Sequence, residues 1–171
     1  MKAPTPPVQL EEFLAKYSPE VARDARQALV RLRRLIPGAV ELVYDNYNAL
    51  AIGFAPSERT SEAIVSIAVY PRWVSLFFLQ QGPSLPDPQK LLRGSGSKVR
   101  HIVLNPVSLL DAPAVRALID EAVIRASTRI DPAGKRRIVI KSVSARQRPR
   151  RPPLPLLDRR GGRERSERTG W

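Results

Sequence analysis

The sequence predicts an α+β domain, a curved antiparallel sheet of about five to six strands packed against N-terminal and C-terminal helices. An amphipathic stripe of helical period runs over residues 19–36. Between residues 41 and 79, β-branched and aromatic residues fall in short blocks whose links are too short for helical crossovers. Apolar residues then return to helical period over 112–127.

Thr5 before Pro6 reads as a helix start, and Val8, Phe13, Leu14 and Tyr17 give a short helix over about 6–16. Ser18-Pro19-Glu20 repeats the signature. The helix that follows buries Val21, Ala25, Ala28, Leu29, Leu32, Leu35 and Ile36, exposes its arginines, and stops at Pro37-Gly38. Glu41–Asp45 and about 48–54 are strands joined by a bend at Asp45-Asn46. Ala63–Tyr70 and Trp73–Leu79 form a further pair. Three prolines confine 80–93 to loop with a short helix near Asp87–Leu92. Gly94–Lys98 is a turn, and Val99–Leu104 is a strand that ends at Asn105-Pro106. Asp111 caps the last helix. Arg137–Val143 is the final strand, after a turn at Asp131–Gly134.

The 171 residues support one globular domain over 1–144 and an Arg/Pro-rich tail over 145–171 that is extended or disordered. The tail's leucines, Leu154, Leu156 and Leu157, either dock on the domain or remain in that tail. Lys and Arg total 29 against 16 Asp and Glu, a net charge of +13, and the tail alone holds nine arginines against three acids. Such an excess favours nucleic acid or another polyanion as partner, although a solubilising surface explains part of it. With no cysteine, a disulfide scaffold and a cysteine-ligated metal are excluded. His101 is the only histidine, so any Ser-His-Asp triad would have to use it. Apolar runs fall far short of the ~20 residues that span a bilayer. No signal peptide is expected at Met1–Tyr17, so the expected compartment is the cytoplasm, without integral membrane association.

Several segments in order, together covering roughly residues 8–127, resemble the YdhG-like domain family. They are the helix ending Ile36-Pro37-Gly38-Ala39, the entry Glu41–Asp45, the two strands up to Tyr70, Trp73–Phe78, Gly94–Ile102 and the helix 112–127. The resemblance implies a curved antiparallel sheet backed by helices in a largely uncharacterised bacterial group. One branch of that group is similar to frataxin-like iron chaperones. Such a chaperone uses a ridge of carboxylates on its first helix and first strand. Here Glu11, Glu12, Glu20 and Asp24 are the acids available, beside a helix rich in arginine.

The leading site candidate is the loop Gly94–Arg100. Ser95, Ser97, Lys98 and Arg100, with Arg93 if the loop folds back, would surround a phosphate or carboxylate; a flexible connector is the alternative. It is not a P-loop, since Gly96 is followed by Ser97 and then by a strand. Tyr44, Asp45 and Asn46 begin a polar cluster that either closes a turn or lines a shallow pocket, with Asp45 paired to Lys98 or Arg100. Glu41 and Asp45 share one strand face. His101 is expected to be partly buried and hydrogen-bonded. Tyr70, Trp73, Phe77 and Phe78 read mainly as core, although Phe77 and Phe78 point to opposite faces and base stacking is conceivable. Arg146, Arg148, Arg150 and Arg151 are the candidate nucleic-acid contacts, and Trp171 could add a stacking contact. No catalytic or metal-binding set and no cofactor is expected. The reading is therefore a non-enzymatic binding domain for an anionic ligand or nucleic acid. An iron-handling chaperone or a protein-interaction module is the alternative. A homodimer through a sheet edge or an aromatic face is compatible with the sequence.

Overall fold

A computed structural model describes residues 2–154. The chain begins with α1 (Pro6–Leu14) and α2 (Pro19–Leu35). A meander follows, with β1 (Val40–Asp45), β2 (Leu50–Ala55), β3 (Val65–Val69), β4 (Val74–Phe78) and β5 (Arg100–Val103). The chain then passes through α3 (Pro113–Ile124) to β6 (Arg137–Val143). The sheet order is β5-β4-β3-β2-β1-β6, and every neighbouring pair is antiparallel except β1 with β6, which run parallel. The sheet is therefore mixed, not purely antiparallel. The connection from β5 through α3 returns β6 to the far edge in the same direction as β1.

Local chemistry sets most boundaries. Ser18 Oγ accepts a hydrogen bond from Val21 N–H and caps α2, with Pro19 in its first turn. Gly38 ends that helix at φ +81°, where a Cβ would stand 2.0 Å from the carbonyl oxygen of Asp131. At α3 the expectation fails. The cap position is Ala112, because Asp111 ends a 3-10 turn (Val107–Asp111) and its carboxylate accepts Arg31 Nε at 3.1 Å. The helix expected near Asp87–Leu92 is likewise absent. Asp87 instead accepts Leu91 and Leu92 N–H and closes a turn.

One sheet face packs on the helices and forms the main core. Val43, Leu50, Ile52, Phe54, Ile67, Leu76, Phe78 and Ile102 meet Leu14, Ala25, Leu29, Leu32, Leu118 and Ile119 there. Tyr17 is locked beneath it. Its hydroxyl donates to Val69 O at 2.8 Å and accepts from Leu50 N–H at 3.1 Å, tying α1's exit to the β2–β3 pair. Burial pushes the Tyr17 phenol up to about 12. On the other face, Val40, Leu42, Ala55 and Ala63 form a small cluster beneath the segment joining β2 to β3. No helix among the described residues is long and apolar enough to cross a membrane.

Candidate functional site

The expected cluster of Asp45 with the Gly94–Arg100 loop does not form. β1 and β5 are four inter-strand steps apart, about 19 Å at the usual spacing. Asp45 is fully buried and holds two cations. Its Oδ2 accepts Lys16 Nζ at 2.7 Å and its Oδ1 accepts Arg150 Nη2 at 2.8 Å. Burial raises the Asp45 carboxyl, but hydrogen bonds from Lys16, Gln147 and Arg150 outweigh it and hold the group below its ordinary range. Arg150 also donates to Asn46 O and lies over the Tyr17 ring at 5.7 Å. Glu41, buried on the same face, accepts both Arg33 Nε and Nη2, and Arg136 as well. The two acids are thus electrostatic anchors.

The first residues of the tail, expected to be extended or disordered, pack on the domain without helix or strand. Ser144 N–H donates to Asp45 O, and Arg148 N–H donates to Tyr47 O. Arg150 is 5% exposed, so it cannot reach a phosphate while Asp45 holds it. Arg146, Arg148 and Arg151 remain exposed, with Arg148 over Tyr47 and Arg151 donating to Lys16 O. Leu156, Leu157 and Trp171 lie outside the described residues.

The loop itself splits in two. Arg100 points to the helical side of β5 and turns its Nη1 onto the carbonyls of Gly96 and Val99, so it braces the loop from within. Ser95, Ser97 and Lys98 are exposed. Arg93 does fold back, as the conditional reading required. It forms an isolated antiparallel bridge with His101, each N–H donating to the other's carbonyl at 2.9 Å. Directly opposed residues project to the same face, so Arg93 leaves the sheet beside His101.

That face is the one turned away from the helices. The strand registers place Leu42, Gly53, Ser66, Phe77, His101 and Arg93 in one row. Beside it runs the row Tyr44, Ala51, Ala68, Ser75 and Val103. Tyr70 and Trp73 close the β3–β4 hairpin on the same face and stack at 4.9 Å, so they are not core residues as expected. Phe78 is core, whereas Phe77 leaves it and stacks on His101 with centroids 5.3 Å apart and planes 28° apart. The contact that defines His101 is this stacking, not the expected hydrogen bond. Tyr44 bonds to the hydroxyl of Thr60 at the covered end of the face. Ala68 and Ser75 are buried in this row. No strand position of this face carries a carboxylate.

Alternation alone separates Phe77 from Phe78, and His101 from Arg100. The meeting of Arg93 with His101 has no local signal, since Arg93 lies in an irregular segment. Among the described residues no three or more His, Cys, Asp or Glu side chains gather where they could hold a metal. The chain matches no protein-family model, no curated protein and no solved structure.

Proposed function

We propose that this chain is a non-enzymatic binding module for an anionic ligand, with nucleic acid as the ligand class that the charge distribution favours. The observation that carries the reading is the aromatic sheet face, with no carboxylate at its strand positions, ending at Arg93 on the β5 edge. Lys98 in the adjoining loop extends the cationic margin. Arg146, Arg148 and Arg151 add a second cationic region beside the β1–β2 turn, in a chain of net charge +13. Ser95 and Ser97 supply neutral donors at the loop. Tyr44 borders the face, whereas Asp45 and Asn46 serve the Arg150 anchor and drop out of the ligand set.

The resemblance to the YdhG-like family belongs to this reading and rests on the ordered segments from α2 to α3. Iron handling gains no support from the geometry. Glu11 pairs with Arg26, and the buried Glu41 and Asp45 are each neutralised by two cations.

The test is a titration of the full chain with labelled single-stranded and duplex DNA at two salt concentrations. Affinity should fall steeply with salt, and Arg93→Ala with Lys98→Ala should lower the slope of log K against log salt by about one to two. Salt-independent binding, or none, would remove the reading.

A further inference from the structure

The open sheet face has a geometry that electrostatics alone does not explain. Phe77 and His101 are direct cross-strand partners stacked on each other. Next to Phe77 in its row stand Ser66 and then Gly53, and diagonally Ala68 and Ser75. Gly53 lies under the Ala63 side chain, whereas Ser66 is too short to cover an aromatic ring, and Phe77 is half-buried. His101 has Arg93 as its neighbour on the opposite side. A second stacked pair, Tyr70 with Trp73, lies on the same face four residues back along β4, about 13 Å away at the usual rise. Trp73 is 37% exposed. A soluble sheet normally turns such rings inward; here two aromatic pairs flank a floor of Ala and Ser, with a guanidinium at the margin.

We propose that this face binds single-stranded nucleic acid. Unpaired bases stack against the Phe77–His101 and Tyr70–Trp73 pairs, and Arg93 contacts the backbone phosphate. The inference rests on the anionic-ligand reading and narrows it to a ligand class. Charge complementarity selects the occupant: the face presents cations at its margin and no acid at its strand positions, which suits a polyanion that carries planar rings. Flat aromatic faces reach bases only when the bases are unstacked, so a duplex lacks the matching surface. Ser66 on the floor, half-buried, offers a hydroxyl to whichever base edge lies above it, which permits binding with little preference for sequence.

The experiment uses the full chain and three labelled probes at two salt concentrations. They are a single-stranded oligothymidylate of about twelve nucleotides, an abasic strand of equal length, and a duplex. The oligothymidylate should bind at least about 5-fold tighter than either of the others, and Phe77→Leu should remove about 5-fold or more of its affinity. Arg93→Ala should reduce the salt slope by about one while keeping the preference for bases. Because Phe77 also packs on the sheet, a second readout uses an otherwise unaltered fold. In a Trp171→Phe background, Trp73 fluorescence should be quenched by the oligothymidylate and not by the abasic strand. Equal binding of the oligothymidylate and abasic strands, with Phe77→Leu and Trp73 both silent, would overturn the stacking inference and leave the anionic-ligand reading standing. Absence of binding to all three probes would overturn both.

Discussion

Asp45 and Arg150 lie 105 residues apart in the chain and meet at 2.8 Å with almost no solvent on either side chain. Arg150 Nε and Nη1 are buried without a hydrogen-bond partner among the described residues, so Nη2 carries the pairing. Residues 144–150 after β6 therefore pack on the domain.

Arg150→Ala should destabilise the fold by about 3 kcal/mol, because it leaves a buried carboxylate with Lys16 as its only ion-pair partner among the described residues. The denaturant midpoint measures this. A chain ended at residue 144 should show a similar loss, and a chain ended at 154 should not. Equal stability of all three would mean that the pair contributes nothing.

Acid stability should depend on the same carboxylate. The folded Asp45 is held below its ordinary range, so its contribution is fully present above about pH 4 and is lost as pH falls through the folded value. Asp45→Asn should lower stability at neutral pH and flatten the decline below about pH 4. Unfolding curves recorded across the acid range would show it.

Tyr17 gives the opposite limb. Its folded phenol is raised to about 12, so the unfolded chain releases this proton first and stability falls as pH rises from about 10 towards 12. Tyr17→Phe should remove that alkaline decline. At neutral pH it should cost about 1–3 kcal/mol for the lost hydrogen bonds to Val69 and Leu50. An alkaline limb identical to that of the wild type would reject the assignment.

Gly38→Ala should destabilise by more than the roughly 1–2 kcal/mol of a left-handed residue, since its Cβ would also collide with Asp131 O. Gly96→Ala is the control. A Cβ there meets only Val99 O at 3.9 Å, and the denaturant midpoint should barely move.

The helices and strands were legible in the sequence because each is set by local spacing. The α2 stripe, the Ser18 cap and the Pro37-Gly38 stop lie within one helix's length of sequence. The alternation in Val74–Phe78 likewise separates the faces of β4 without reference to any other strand. Asp111 is the informative failure, since a good cap residue was drawn away by Arg31 from another helix. The parallel pairing of β6 with β1, the burial of Arg150 against Asp45 and the return of Arg93 to His101 were decided only by tertiary structure. A local period states which way a side chain points. It holds no information on which distant strand, charge or ring will stand opposite, because the gain from that contact exists only once the intervening chain has closed.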